Sequence, residues 1–381
     1  MTVDTITAST VTDGRAPDHR GSWIPTGGMI ATRFLELRRR RGLMLTLTGV
    51  MIGIPVVVLA IRLISHAVDP KSYGPAGGYG TFTGLVAGFM YIFGFIVAAT
   101  VGCTAGSVDL TEGMFRHLVI TGRSRLALYL ARIPAGLGIV LPIVAIGFSI
   151  VCAVCVFAAP TNLDYNGTTV PAGLSQAGFT SWAADHPTEA ICNFPYNGPP
   201  PGFGPAIADP CGGPNGPGIK GPGNPGVPAT QAQLRTAAVI IAQHAYADYH
   251  SNFLSPPGTL MLDTGLWILL EATIGFIVGL GLSSLMGQRT VAVILLVVLE
   301  LILTPLLSRH VITHLLNVQR GIVGAAMAHL EPSGLPQAFG GGGGDGPHLI
   351  PESRGVSVAV VVGWLVVWTV LGAWRMAKRD A

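Results

Sequence analysis

The sequence predicts an all-α integral membrane protein with six transmembrane helices. Of its 381 residues, 50% are hydrophobic and 11% are charged, against roughly 25% charged residues in soluble domains. The mean hydropathy is +0.56, and so many apolar residues cannot all be enclosed in one soluble core. The apolar residues instead cluster in six runs of the length that crosses ~30 Å of hydrocarbon. The net charge of +3 is too small to indicate nucleic-acid binding.

The six spans are expected at approximately 43–64, 83–105, 133–158, 265–286, 290–308 and 356–374. Each is predicted to be a helix, because hydrocarbon offers the backbone no hydrogen-bond partners. Three spans contain an interior proline, which neighbouring helices must accommodate: Pro55, Pro142 and Pro305.

The arginines and lysines predict the orientation, since basic residues near span ends stay in the cytoplasm. With both termini inside, the cytosolic segments hold 15 of the 22 basic residues, the outer segments hold 6, and Arg62 lies within the first span. No cleavable signal peptide is evident, so the first span should remain as an anchor in a multi-pass plasma-membrane protein.

This orientation divides the chain into seven parts. They are a cytosolic tail (1–27), an amphipathic helix (28–41), spans one to three (42–159) with a cytosolic loop (106–132), an extracellular loop (160–264) with a helix at 230–254, spans four and five (265–308), a second extracellular loop (309–355), and span six with a cytosolic tail (356–381).

The first extracellular loop is rich in glycine and proline. In residues 195–229, 21 of 35 are Pro or Gly, and such a stretch cannot form a helix or build a core. A helix is expected next, because one stripe of it is apolar. Its position is expected to be on the outer membrane face or against the span ends. The stripe consists of Leu234, Ala238, Ile241, Ala245 and Tyr249.

The five cysteines agree with this topology. Three fall within spans, whereas Cys192 and Cys211 fall in the first extracellular loop. An oxidising exterior favours a Cys192–Cys211 disulfide, worth about 3 kcal/mol on the chain-entropy model. The alternative is a pair of free thiols.

No residue pattern indicates catalysis, so the chain is expected to be a transport subunit and not an enzyme. None of the three lysines lies in a phosphate-binding loop, so no cofactor is expected here. His310 and His314 are spaced like metal ligands, but without an accompanying glutamate they are interpreted as interfacial histidines.

Two pairs of small residues, Gly84/Gly88 and Gly275/Gly279, permit close helix packing, either within the chain or between two copies.

The most informative segment is the cytosolic stretch 106–125, GSVDLTEGMFRHLVITGRSR. An acidic residue, a glycine, a bulky residue and an arginine are followed by a short apolar run and a turn before the next span. This order resembles the coupling segment of permeases of the bacterial type-2 (ABC-2-type) ABC exporter family. The Arg-rich, Lys-poor composition fits an actinobacterial member.

The resemblance implies a role for each matching residue. Asp109 and Glu112 would begin a short helix that continues through Gly113. Met114 and Phe115 would insert into a separate ATPase subunit. The basic residues, which would pair with its acidic rim or with lipid phosphates, are Arg116, Arg123 and Arg125.

The helix expected at 28–41 places Ile30, Phe34 and Leu37 on one face and arginines on the other. That pattern is typical of a helix lying in anionic headgroups. It is similar to the elbow helix that precedes the first span in these permeases. The long loop at 160–264 departs from the compact plan of the family.

Two carboxylates lie within predicted spans, where charged groups are costly and normally have partners. Glu271 and Glu300 are each about seven or eight residues from the outer ends, roughly 10–12 Å deep. They are a candidate acidic ring in the transport path. Alternatively, they are protonated or hydrogen-bonded groups at helix contacts.

The resemblance implies an ABC exporter permease that moves an amphipathic or hydrophobic substrate outward. Its partners would be two copies of an ATPase subunit, which bind ATP and Mg²⁺, a second permease, identical or similar, and membrane lipids. The alternatives are an ion-gradient-driven carrier, for which Glu271 and Glu300 would bind the ion, and an accessory membrane scaffold.

Overall fold

The computed structural model describes residues 23–69, 73, 75–111, 124–160, 162–165, 167–194, 196, 211, 229–251, 255–307, 315–335 and 350–378. The described chain is mostly helical, and six helices are long and apolar enough to cross a membrane, which confirms the predicted number of spans. The spans are Arg41–Val68, Tyr79–Val108, Arg125–Phe157, Gly258–Met286, Arg289–Leu307 and Arg354–Lys378. Helix α1 (Gly27–Arg39) precedes the first.

The third and fourth spans begin earlier than the sequence indicates. They start at Arg125 and Gly258 rather than at 133 and 265. The search for continuous apolar runs did not include these first turns, because they contain polar residues. The fold buries these residues, with Arg132 at 2% and Thr264 at 0% exposure.

The second and fourth spans form the centre of the bundle. Buried residues make up 61% and 67% of their most apolar windows, but only 22%, 22% and 17% of those of the first, fifth and sixth spans. Gly275 and Gly279 face the backbone of Phe95 and Ala99, so these glycines pack within the chain. Around Gly84, by contrast, nothing lies within 4 Å of where a Cβ would be, and the same is true of Gly88.

The contacts at the glycines also give the direction of the spans. Gly102 faces Phe276 and Gly106 faces Ser283, so the second and fourth spans run parallel. In the third span, Gly136 meets Phe276 of the fourth, whereas the later Phe148 meets the earlier Gly265, so these two spans are antiparallel. Spans one, three and five therefore begin at the same end of the bundle, here called the basic end because Arg41, Arg125 and Arg289 lie there. The opposite end is called the far end.

Two interior prolines follow widened, π-helical turns. The turn Gly49–Gly53 precedes Pro55, and Leu299–Leu303 precedes Pro305. Proline has no N–H and its ring collides with the carbonyl four residues earlier, so the extra residue relieves the clash. The carbonyl left without its usual partner by Pro55 is that of Met51, and it packs against Gly147 of the third span.

The chain between the third and fourth spans forms a small folded unit, here called the outer domain. An antiparallel hairpin pairs β1 (Asn162–Tyr165) with β2 (Thr168–Pro171). Three helices follow: α2 (Gln176–Asp185), α3 (Pro187–Asn193) and α4 (Gln231–Ser251).

The outer domain has its own hydrophobic core, whose buried residues lie before and after the glycine- and proline-rich stretch. All five residues of the predicted stripe are buried. The stripe of α4 packs against α2 and α3. Phe179 is at the centre, stacked 4.1 Å from the Tyr249 ring and 5.0 Å from the Phe194 ring.

Between the fifth and sixth spans lie two short helices, α5 (Leu316–Arg320) and α6 (Val323–His329). Every residue of α6 except His329 is buried, because the helix lies against the sixth span and fits Gly324 against Thr304 of the fifth. His310, His314 and the five-glycine run lie outside the described residues.

Candidate functional site

The bundle encloses two glutamates. Glu271 of the fourth span is 2% exposed and Glu300 of the fifth is 1% exposed. One oxygen of Glu271 and both oxygens of Glu300 are buried and make no hydrogen bond to any residue that the structure describes. The two carboxyl groups are close enough for their charges to repel.

Tyr91 and Glu331 complete this acidic cluster. Tyr91 of the second span is fully buried, and its hydroxyl lies within electrostatic range of Glu271, Glu300 and Glu331. Its ring stacks on that of Trp267 with centroids 4.4 Å apart. The indole Nε1 of Trp267 donates a 3.0 Å hydrogen bond to the carbonyl oxygen of Met327 in α6. Ring stacking and this bond fix the tyrosine among the carboxyls.

The backbone at the cluster is irregular. Glu300 lies inside the π-helical turn Leu299–Leu303, and Tyr91 directly follows another, Val86–Met90. An extra residue in a turn redirects the side chains beyond it, and such turns are frequent at functional sites. Thr304, one turn after Glu300, brings its hydroxyl within range of the carboxyl, although the pair does not adopt hydrogen-bond geometry.

Glu271 lies further along its span than the sequence indicated, whereas Glu300 is seven residues from the described end of its span, close to the expected distance. The fourth span starts at Gly258, so Glu271 is thirteen residues along it, about 20 Å, and not seven. Sequence reasoning missed Tyr91 and Glu331, because a tyrosine in an apolar run and a glutamate in a predicted loop give no signal by themselves.

A buried carboxyl cluster can hold protons or a cation, because ionised groups in hydrocarbon require compensation. The described residues include no group of three His, Cys, Asp or Glu side chains placed to hold a metal ion.

The segment resembling a coupling loop is described only at its two ends. Asp109 lies in the helix that continues the second span to Thr111, and Arg125 begins the third span. Its guanidinium donates a 3.4 Å hydrogen bond to the carbonyl oxygen of Ala377 in the sixth span. The other residues assigned to coupling lie outside the described residues: Glu112, Gly113, Met114, Phe115, Arg116 and Arg123.

A buried arginine holds together the two ends of this segment. In the sequence this residue counted only toward the orientation of the spans. Arg132 has the largest side chain among the fully buried residues, at 2% exposure. Its Nη1 donates a 3.2 Å hydrogen bond to the carbonyl oxygen of Gly106. The bond joins the second and third spans where the segment leaves and re-enters the bundle.

The outer domain contains the disulfide. Cys192 and Cys211 are bonded, with their Cα atoms 5.3 Å apart, whereas Cys103, Cys152 and Cys155 are free thiols. Nearby, the Tyr249 hydroxyl donates a 2.7 Å hydrogen bond to the Pro171 carbonyl. Burial raises the pKa of this tyrosine, and the backbone N–H of Leu174 partly offsets the rise. Tyr249 stays protonated and ties α4 to the hairpin.

Comparison of the chain with protein-family profiles, with curated proteins and with solved structures yields no match.

Proposed function

We propose that this chain is the membrane-spanning subunit of an ABC exporter, working with a separate ATPase. One observation carries the proposal: the 106–125 segment is attached at its base to three spans. The segment begins at Gly106 of the second span. Arg132 of the third span donates a hydrogen bond to Gly106, and Arg125 donates one to Ala377 of the sixth. A push on the segment would therefore reach half of the bundle.

The mechanism would be alternating access. Two ATPase subunits, closing on ATP, would move the residues from Glu112 to Arg123. That motion would tilt the second and third spans and open the bundle toward the far end. The far end would be extracellular, with both termini in the cytoplasm of a bacterial cell, α1 would be the elbow helix, and two permeases would form the pore.

The acidic cluster would lie on the route of the cargo. Glu271 and Glu300 are near the middle of the spans, and a transport path is a common place for carboxyls without hydrogen bonds. An amphipathic compound with a cationic group would suit such a path.

The test is co-purification with an ATPase encoded beside this chain, followed by transport into inside-out vesicles. Glu112→Ala with Phe115→Ala should abolish ATP-driven uptake while leaving membrane insertion intact. A matched control is Arg38→Ala with Arg39→Ala, two exposed residues of α1, which should transport normally. Transport by the wild-type chain without nucleotide would contradict the proposal.

The acidic cluster favours a second candidate, a carrier driven by an ion gradient. In that case transport would follow an imposed proton or sodium gradient, and Glu300→Gln would abolish it without any ATPase. Collapse of the gradient by an ionophore distinguishes the two functions, because ATP-driven export would continue.

A further inference from the structure

A pocket of about 350 Å³ opens at the basic end, between the first, second and fifth spans. Its volume is in the range of small-molecule sites. The polar residues that line it are Arg40, Arg41, Arg289, Thr46, Thr100 and Thr104. None of its described lining residues belongs to the acidic cluster or to the described ends of the 106–125 segment.

The described lining of the pocket is positively charged. No carboxylate is among its described lining residues. Glu36 of α1 is already engaged, in a 2.6 Å ion pair with Arg33. Arg41 and Arg289 form no ion pair or hydrogen bond with the residues that the structure describes. The site therefore favours an anion.

Two helix ends add to this preference. Arg41 and Arg289 are the first residues of their helices, and the preceding residues, Arg40 and Gln288, make no side-chain cap. The first-turn N–H groups at both ends thus have no capping side chain, and helix N-termini favour negative charge. Arginine also binds phosphate through two parallel hydrogen bonds, which lysine cannot reproduce.

The threonines define what else the ligand must present. Their hydroxyl protons are already donated to backbone carbonyls four residues earlier: Thr46 to Gly42 at 2.9 Å, Thr100 to Ile96 at 2.8 Å, and Thr104 to Thr100 at 2.8 Å. Each oxygen can then only accept. A fitting ligand carries a phosphate for the arginines and hydroxyl groups for the threonines.

We propose that this pocket binds the headgroup of an anionic glycerolipid in which a phosphodiester is linked to a polyol, as in phosphatidylglycerol. The mouth of the pocket lies at the span ends, the level of lipid headgroups. Beside it, Leu45 of the first span is 73% exposed and Ile294 of the fifth is 55% exposed, so acyl chains have an apolar surface to follow.

The experiment measures lipid retention by native mass spectrometry on the purified full-length chain in neutral detergent. Phosphatidylglycerol should bind at least about tenfold more tightly than phosphatidylcholine. Arg41→Gln with Arg289→Gln should reduce its affinity about tenfold. The matched control, Arg235→Gln with Arg354→Gln, removes the same charge from exposed positions outside the pocket and should stay within about twofold.

Two further variants keep the test decisive. Arg41→Lys with Arg289→Lys preserves the charge and guards against misfolding, and should still bind about threefold more weakly than wild type. Thr46→Val removes an acceptor and should weaken binding of phosphatidylglycerol but not of phosphatidic acid, which has no polyol.

Three results would overturn the proposal. The first is equal loss in the pocket and control variants, which indicates a diffuse surface charge effect. The second is equal affinity for phosphatidic acid and phosphatidylglycerol in the wild type. The third is displacement of the lipid by glycerol phosphate at matched concentration, which would make a soluble anion the ligand.

Discussion

Replacing Gly275 by alanine should separate the two central spans and destabilise the bundle. A Cβ at this position would lie 2.6 Å from the carbonyl oxygen of Phe95, 3.1 Å from its Cδ2 and 3.2 Å from its Cα. Two of these atoms are backbone and cannot rotate away, so the helices must move apart. Overpacking of this kind costs about 1–3 kcal/mol, and the better helix propensity of alanine returns about 0.5–1 kcal/mol.

Gly84→Ala is the matched control, because nothing lies within 4 Å of its added methyl group and the propensity gain is the same. The two variants should therefore differ by about 1–3 kcal/mol, a factor of roughly five to one hundred and fifty in the unfolding equilibrium. Titration with SDS in mixed micelles, followed by circular dichroism, measures this difference. Equal stability of the two variants would refute the packing argument.

Three other results are expected. A membrane-impermeant maleimide should label Cys192 and Cys211 of intact cells only after reduction; labelling without reductant would show that the thiols are free. Glu271→Gln and Glu300→Gln should each fold normally and selectively lose export of cationic compounds while ATP hydrolysis continues, and unchanged export of every cation tested would leave these residues a packing role. Arg132→Met should lower stability by about 1–3 kcal/mol, since it removes the buried hydrogen bond from the charged guanidinium to the Gly106 carbonyl, and a melting temperature equal to that of wild type would contradict this.

The sequence predicted the number of spans because each is a continuous apolar run, a property that belongs to the segment itself. It could not predict where the third and fourth spans begin. Those turns are stabilised by the burial of Arg132 and Thr264, which depends on neighbouring helices.

The outer domain was missed for a similar reason. Its core joins Phe179 and Phe194 to Tyr249, across the glycine- and proline-rich stretch that dominates the composition. The stripe of α4 that contains Tyr249 was predicted, but Phe179 and Phe194 lie in or beside short helices whose apolar residues give no clear pattern by themselves. Of the candidate site, the two span glutamates were visible as charges in apolar runs, whereas Tyr91 and Glu331 required the fold.

The parallel packing of the second and fourth spans imposes an order on synthesis. Gly102 and Gly106 need Phe276 and Ser283 as neighbours, and those residues are translated only after the whole outer domain. During that interval a nascent chain would hold its second span in the bilayer with this face uncovered. A chain truncated before Gly258 would keep it uncovered, so this face of the second span is buried only once the fourth span has been made.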